Sequence, residues 1–369
     1  MYVRDISGMI ESWAPPAIAW ERDNVGLLVG SPDSIIRKVL VCLDATPAVI
    51  DEAISMRTGL IVSHHPLMFA PLRQIDPGTR NGGMLASLLR HRIGLYAAHT
   101  NLDFTTGGVS HTLAERLGLK EISPLSPLAG KQKKIVVFVP PSHAGGVMQA
   151  MAGAGAGVIG KYESCSFTTG GTGSFLPGPG SDPFLGSSGR FERVNEVRLE
   201  MECPQWKVPA VVRAMKAAHP YDEAAFDVYS LENASRDFGM GAIGRLPRPA
   251  PLRTFLRSVS SRLGAAGVRY SGPSARRIRS VAVCGGSGAD LLPEAVRAGA
   301  DAFVTADIRY HSFQEFEREI VLVDAGHYET ERPAVGAITR FLRSAPQIRK
   351  ERIAVIESKK SINPVNYFR

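Results

Sequence analysis

The hydrophobic pattern of the N-terminal part alternates between short apolar runs and segments with apolar residues at helical spacing. Residues 39–44, 60–63 and 94–98 have the length and composition of buried strands. Segments 47–56 and 83–91, which lie between these runs, are predicted helices. This order of strand, helix, strand, helix, strand predicts a parallel sheet with helices on its faces.

The same pattern returns in the C-terminal part. Its predicted strands and helices alternate, in chain order, at 280–284, 291–298, 302–305, 313–318 and 320–323. Cys42 is followed by His64 at almost the same spacing as Cys284 is followed by Thr305. The chain therefore predicts an α/β fold of two related lobes with mostly parallel sheets.

The middle of the chain has a different pattern. Its main predicted elements lie at 133–140, 143–152, 195–201, 207–218 and 225–229. These five elements fit a β-α-β-β-α-β order in which one strand is not assigned, and hence favour an inserted ferredoxin-like α+β module. The glycine-rich stretch 168–188 is predicted to be a long hairpin loop, since no strand-to-helix junction encloses it as a phosphate cradle requires. The predicted domains are 1–130, 131–232 and 233–369.

Two adjacent histidines follow one of the predicted strands. In open parallel sheets, ligands gather beyond the carboxyl ends of the strands. His64 and His65 come directly after the strand 60–63, and Pro66 prevents that strand from continuing. Because consecutive residues of a strand would point to opposite faces, this stop lets the chain turn and aim both imidazoles at one site.

Further metal-binding side chains follow other strands. His99 and Asp103 come after the strand 94–98, and His327 and Glu331 come after the strand 320–323. If a helix begins near His327, Glu331 lies one turn later on the same face. Imidazole and carboxylate without cysteine suit zinc, manganese or iron and leave room for water. A single histidine is usually a hydrogen-bonded core or surface residue, but the set at strand ends favours metal binding.

Several other polar residues are weaker candidates. His99 is a candidate catalytic or ligand-orienting residue. The strand that matches the one before His64 is followed by Asp307, Tyr310 and His311. If the two lobes face each other across a cleft, pseudo-symmetry would place these residues on the side opposite His64. His311 is therefore the second catalytic candidate. A purely structural role for these three residues is an equally favoured alternative. The turn CGGSG at 284–288 could bind a phosphate through its amides, but a packing turn is favoured because the full dinucleotide fingerprint is absent.

The charge distribution adds one further feature. Lys and Arg exceed Asp and Glu by 43 to 35, which gives a net charge of +8. No acidic residue occurs between Asp237 and Asp290, whereas nine arginines do. Such a stretch would attract phosphates and nucleic acid. A solvated helix face is the favoured alternative, because aromatic residues do not interleave regularly with the arginines.

The cysteines and the N-terminus bear on the compartment. The four cysteines lie far apart and form no C-x-x-C pair, which indicates a reducing environment. Arg4, Asp5 and Glu11 occur where a signal peptide would need an apolar core, and no later run is long and apolar enough to span a bilayer. We expect a cytoplasmic protein without membrane association.

Several segments resemble those of the NIF-three-like family, whose members are often named GTP cyclohydrolase I type 2 homologues. They are WERDNVGL at 20–27, SHHP at 63–66, HTNLD at 99–103, GMGAIG at 239–244, CGGSG at 284–288 and DAGHYETE at 324–331. Two segments of the middle part, KYESCSF at 161–167 and HPYDE at 219–223, resemble the PII-like or CutA-like insert of longer members. The resemblance covers essentially the whole chain.

The resemblance implies a metal site and an activity. It implies two divalent metal ions per chain, zinc with manganese or iron as alternatives, in a cleft between the lobes of a hexameric toroid. The ligands that it implies are His64, His65, Asp103, His327 and Glu331. The leading hypothesis is metal-dependent hydrolysis of a nucleotide-like substrate, in its narrower form the opening of the guanine imidazole ring of GTP. The alternatives are a non-enzymatic metal-binding regulatory protein and a nucleic-acid-associated toroidal scaffold.

Overall fold

The computed structural model describes residues 1–368, which form two compact units. The first unit comprises residues 1–127 and 237–368, and the second comprises residues 128–236. None of the helices within residues 1–368 is long and apolar enough to cross a membrane.

The N-terminal part of the first unit alternates strands and helices. Its strands are β1 (Gly26–Val29), β2 (Lys38–Cys42), β3 (Leu60–Ser63), β4 (Gly94–Ala97) and β5 (Lys120–Pro127). Its helices are α1 (Val3–Trp13), α2 (Pro47–Ser55), α3 (Arg80–Arg90), α4 (Thr100–Asp103) and α5 (Val109–Leu117). Every residue of β3 and β4 is buried, which is why these strands are continuous apolar runs. Helix α2 begins after Thr46, whose hydroxyl accepts a hydrogen bond from the Val49 amide.

The second unit is a four-stranded antiparallel sheet with helices packed on one face. Its elements are β6 (Gln132–Val139), α6 (Ala144–Gly153), β7 (Phe167–Phe175), β8 (Glu192–Pro204), α7 (Val208–Ala218) and β9 (Phe226–Leu231). The strand order is β7-β8-β6-β9, and every pair is antiparallel. Part of the glycine-rich stretch, which the sequence predicts to be a hairpin loop, instead forms β7 through nine residue pairs with β8.

The C-terminal part of the first unit supplies the remaining elements. Its strands are β10 (Gly239–Pro251), β11 (Arg269–Ser271), β12 (Arg277–Val283), β13 (Ala302–Thr305), β14 (Val321–Asp324) and β15 (Ala354–Glu357). Its helices are α8 (Leu252–Leu263), α9 (Leu292–Arg297), α10 (Tyr310–Glu315), α11 (His327–Glu331), α12 (Pro333–Ser344) and α13 (Pro346–Lys350).

These strands build two sheets, so the first unit is a mixed α/β structure. The first sheet has the order β1-β4-β3-β2-β15, and the second has the order β11-β14-β13-β12-β10-β5. In each sheet three consecutive strands run parallel, β2-β3-β4 and β12-β13-β14, and an antiparallel strand follows the third. This correspondence is the structural form of the repeat in the sequence. The second sheet is more antiparallel than the repeat predicts, because β10 pairs antiparallel with both β12 and β5.

The two sheets exchange strands across the chain. Strand β15, from the C-terminal part, pairs parallel with β2 in the first sheet. Strand β5, from the N-terminal part, pairs antiparallel with β10 in the second sheet. Neither sheet is therefore completed by its own stretch of sequence, and one compact unit forms instead of two independent lobes.

Removal of the second unit is expected to leave the first unit folded and able to bind metal. Pro127 of β5 lies opposite Gly239 of β10 in the antiparallel pair, so a short turn can replace residues 128–236. We expect the shortened protein to retain the metal content of the full chain, measured by elemental analysis. A soluble, folded deletion protein that binds no metal would contradict the division into two units.

Candidate metal centre

The candidate centre lies at the carboxyl ends of the parallel strands in the first unit. The hydrogen-bond ladder continues past β3, because the amides of His64 and His65 donate to the carbonyls of Cys42 and Leu43 at 3.2 and 3.0 Å. These bonds fix the backbone at the turn before Pro66. The two imidazole rings consequently lie on one side of the sheet end, with centroids 4.9 Å apart.

Two short helices carry the remaining candidate ligands. Helix α4 ends at Asp103, directly after His99 at the end of β4. Helix α11 begins at His327 and ends at Glu331, as the spacing in the sequence predicts. One turn of helix brings the two side chains together, with His327 Nε2 and Glu331 Oε2 3.0 Å apart.

The five residues predicted to be ligands lie close together, each within 4 Å of Glu331 or His64. Glu331 Oε2 lies 2.9 Å from His65 Nε2 and 3.0 Å from His327 Nε2. His64 Nε2 lies 3.8 Å from Glu331 Oε1 and 3.7 Å from Asp103 Oδ1. Side chains from both sheets therefore lie in one centre, although more than two hundred residues separate them in sequence. Asp103 is in neither of the two groups whose ligand atoms all lie within 4.8 Å of one another, and it is close to the centre through His64.

The centre contains polar atoms that lack hydrogen-bond partners. Within residues 1–368, the buried atoms without a partner include His64 Nε2, Asp103 Oδ1 and Glu331 Oε2. Glu331 Oε2 is close to two imidazole nitrogens, but the angles do not meet hydrogen-bond geometry. An unpaired buried polar atom is costly, and three in one centre, two of them (His64 Nε2 and Asp103 Oδ1) 3.7 Å apart, indicate a missing partner. A divalent cation fits this donor set.

Four histidines share the same orientation. In each, Nδ1 is engaged by an oxygen acceptor, which leaves Nε2 as the ring nitrogen available to a metal. The pairs and their distances are His64 with the Ala98 carbonyl (2.8 Å), His65 with Asp44 (2.8 Å), His99 with Asp23 (2.9 Å) and His327 with Asp307 (2.6 Å). This arrangement is typical of metal-binding histidines.

Two of these orienting carboxylates were not predicted from the sequence. Asp44 follows β2, so its position at a strand end was a usable signal. Asp23 lies in the loop before β1, far from any predicted strand end, and only the fold brings it to His99. Asp307, named as a weak candidate, contacts His327 directly.

The candidate catalytic residues have different surroundings. One ring nitrogen from each of His64, His65 and His99 lies within 4.8 Å of the others, so His99 belongs to the centre. His311 is exposed on α10 and packs against the ring of Tyr310, with ring centroids 5.4 Å apart. In the described chain His311 is in neither group of side chains that could hold a metal ion.

The facing carboxylates favour positively charged imidazoles. At His65, burial disfavours the protonated ring, but Asp44 and Glu331 outweigh this and raise its pKa to about 10. The Glu331 carboxylate close to Nε2 and the Asp307 carboxylate at Nδ1 outweigh burial, and together they raise the pKa of His327 to about 9. The metal-free centre thus holds protons where a cation would bind.

The carboxylates depend on the same positive charge. Burial raises the pKa of Asp103 to about 6, and the charge of His64 opposes this effect. Glu331 is buried too, but its contacts with His327, His64 and His65 lower its pKa well below the usual value. A divalent cation would supply this charge in place of the protons, since metal ligands must be deprotonated.

The glycine turn at 284–288 makes room for these side chains. Its amides are already engaged, because Gly286 and Gly288 donate to the hydroxyls of Thr330 and Thr305 at 3.0 Å each. Gly286 has a φ of +60°, and an added Cβ would collide with the Glu331 carboxylate and lie 3.2 Å from His327 Cε1. The turn is therefore a packing turn, and its glycine is part of the centre.

Substitution Gly286→Ala is expected to reduce the bound metal strongly, because the added methyl displaces the Glu331 carboxylate. Gly299→Ala is the matched control, since its φ of +69° is similar but an added Cβ meets nothing within 4 Å. Both variants should lose about 1 kcal/mol of stability or more from backbone strain. Only Gly286→Ala should lose metal in elemental analysis, and full metal content in this variant would contradict the described position of Glu331.

Known proteins match the chain over almost its full length. The family model Duf34/NIF3 (NGG1p interacting factor 3) matches residues 1–364. A Bacillus subtilis (strain 168) protein named GTP cyclohydrolase 1 type 2 homolog is 38% identical over 366 residues, 99% of this chain and 98% of that protein. A protein of the same name from Mycobacterium tuberculosis (strain ATCC 25618 / H37Rv) is 40% identical over 346 residues, 92% of this chain and 91% of that protein.

Solved structures show the same extent of similarity. A Bacillus cereus protein related to NIF3 is 37% identical with a TM-score of 0.87, covering 100% of this chain and 99% of that one. The Staphylococcus aureus protein SA1388 is 29% identical with a TM-score of 0.80, covering 100% of this chain and 99% of that one. The shared architecture therefore extends over both units.

Proposed function

The chain belongs to the Duf34/NIF3 family, and on that premise we propose that it is a dinuclear metal-dependent hydrolase of a nucleotide-like substrate. One observation carries the proposal: four imidazoles are held at Nδ1 by oxygen acceptors, so that their Nε2 atoms are available to metal beside two buried carboxylates. The proposed metal ligands are His64, His65, Asp103, His327 and Glu331.

Two overlapping ligand groups support two metal positions. One group contains His64, His65 and His99, and the other contains His65, His327 and Glu331. Within each group the ligand atoms lie within 4.8 Å of one another, and His65 is common to both. Carboxylates commonly bridge ions roughly 3.5 to 4 Å apart, and Glu331, with its oxygens near three imidazoles, suits that role. Zinc is the proposed metal, with manganese or iron as alternatives.

A cavity of about 310 Å³ beside the centre is the proposed substrate site. His65 and His327 line it on the metal side, and Tyr328 and Tyr367 offer rings for a planar base. Divalent metal ions bound there would supply Lewis-acid activation of the electrophile and of water. Asp44 and Asp307, which also line the cavity, hold the rings of His65 and His327 so that their Nε2 atoms point toward Glu331.

The narrower proposal is hydrolytic opening of the guanine imidazole ring of GTP with release of formate. Its support is the name GTP cyclohydrolase 1 type 2 homolog carried by relatives of this chain. The decisive experiment measures formate release from GTP by the metal-loaded protein, before and after chelation. We expect release that chelation abolishes and added metal restores. If the metal-loaded protein shows no turnover of GTP or other purine nucleotides, it is instead a non-enzymatic metal-binding protein.

The arginine-rich segment gives limited support to the nucleic-acid scaffold. Arg269 and Arg276 are paired with Asp324 and Asp301, so part of its charge is compensated within the first unit. Salt-dependent binding of oligonucleotides would be the observation in favour of that alternative.

The fold of the second unit, the oligomeric state and the compartment are proposed as follows. We propose that the second unit is a ferredoxin-like module of the PII or CutA type, because the strand order β7-β8-β6-β9 with two helices on one face is that of such modules. The family resemblance supports a homohexamer, which analytical ultracentrifugation would test. All four cysteines are free thiols, which supports the cytoplasm as the compartment.

A further inference from the structure

The second unit contains a cavity on the sheet face opposite its helices. Ile135, Val137 and Val139 of β6 lie in the core with α6 and α7, so Phe138 points to the other face. A cavity of about 570 Å³ lies on that face, between the sheet and the loop that follows β7. This volume is in the range of small-molecule sites.

Aromatic rings surround this cavity. Phe138, Phe175, Phe184 and Tyr221 all line it. The centroid of the Tyr221 ring lies 6.2 Å from the centroids of both Phe175 and Phe184, at interplanar angles of 54° and 42°. Rings tilted in this way do not form a parallel slot for a stacked base. We call the tilted rings of Phe175, Phe184 and Tyr221 the aromatic cage, since rings at different angles can contact an organic cation through their faces.

The charged groups of the lining are predominantly acidic. Glu196, Asp222 and Glu223 line the cavity, and Arg198 is the basic residue among them. The Arg198 guanidinium is engaged by Glu200, with Nε and Oε1 2.7 Å apart. The excess of carboxylates therefore disfavours a phosphate or another anion, and it complements a cation.

Glu196 is held in place at the cage. Its Oε1 accepts a hydrogen bond of 3.0 Å from the Tyr221 hydroxyl, which couples the carboxylate to a ring of the cage. An added Cβ at Gly173 of β7 would collide with the same carboxylate. The bare backbone at Gly173 thus leaves the space that the Glu196 side chain occupies.

We propose that this cavity binds a small organic cation, a quaternary or protonated amine, through the aromatic cage and Glu196. The ammonium group lies against the ring of Tyr221 and is neutralised by Glu196, and the rest of the ligand fills the cavity toward Phe184. The site is built entirely from the second unit, so it is chemically separate from the metal centre.

The test uses choline as the probe on the full-length protein, followed by saturation-transfer NMR and calorimetry. Glu196→Gln, which keeps the shape and removes the charge, should weaken choline binding by about tenfold. Tyr221→Leu should weaken it by about tenfold as well, whereas Tyr221→Phe should retain most of the binding because the ring remains. Glu163→Gln, an exposed substitution in the same unit, is the matched control. Circular dichroism and metal content report whether each variant is folded.

Three results would overturn the proposal. One is equal binding of dimethylbutanol, the uncharged carbon isostere of choline, since it would show that the cage selects its ligand by shape and not by charge. Another is binding of guanosine or GTP in preference to choline, which would make the cavity a nucleotide site. The last is the lack of any choline binding by the wild-type protein, as expected if a second copy of the chain covers this face.

Discussion

Glu331→Ala is expected to reduce the metal content of the protein from about two equivalents to near zero. Glu331 is the carboxylate that three of the four imidazoles at the centre approach, at 2.9 Å from His65, 3.0 Å from His327 and 3.8 Å from His64. Its removal takes a proposed bridging ligand from both ions and leaves the imidazoles without a facing negative charge. Loss of one ligand of this kind costs far more affinity than loss of an orienting group, which is itself worth about 10- to 100-fold.

The measurement is elemental analysis and native mass spectrometry after gentle purification. Glu315→Ala, an exposed carboxylate at the end of α10, should keep the wild-type metal content. Asp44→Asn tests an orienting residue and should weaken metal binding without abolishing it. If the wild-type protein holds one equivalent and Glu331→Ala keeps it, the dinuclear assignment is wrong.

His327→Ala is expected to remove much of the thermal stabilisation that metal confers, and to lower the melting temperature of the metal-free protein much less. Metal would bind only the folded state, because the proposed ligands come from both sheets and converge only on folding. At about a thousandfold excess over Kd this contributes about 4 kcal/mol, a rise on the order of 10 °C in melting temperature. The His327 side chain is 39% exposed, so its removal forfeits little packing.

Two comparisons make this result specific. His91→Ala removes an exposed histidine at the end of α3, and it should leave both melting temperatures unchanged. His64→Ala should lower the melting temperature even without metal, since the side chain is fully buried and bonds to the Ala98 carbonyl. Equal stabilisation by metal in wild type and His327→Ala would mean that the C-terminal part supplies no ligand there.

Local sequence patterns were sufficient for much of the centre. Continuous apolar runs identified β3, β4 and β14 as buried parallel strands, and polar residues directly after them marked the strand ends. The spacing of His327 and Glu331 predicted their contact, because residues four apart share a helix face. These inferences succeeded since strand ends and helix faces depend on residues close together in the chain.

The exchange of strands between the sheets was decided only by the tertiary structure. The sequences of β5 and β15 do not indicate which strand each will pair with, because backbone hydrogen bonds between strands are the same for every pair of sequences. The pseudo-symmetry of the halves likewise suggested a place across the cleft for His311, and in the structure this side chain is exposed on α10. A repeat in the sequence predicts equivalent strands, whereas the path of the chain after each strand is set by packing.

The orienting residues and the cavity of the second unit also separate what the sequence determines from what the tertiary structure decides. The sequence by itself determined which side chains with metal-ligand donors lie at the strand ends, because donor type and strand position are local properties. It did not determine that Asp23 would lie against His99, or that Phe175, Phe184 and Tyr221 would surround one cavity. These contacts join residues from different strands and loops, and their distances follow from how the strands pair and the loops pack. Only the tertiary structure could decide them, since hydrophobic periodicity carries no information about which distant segments meet.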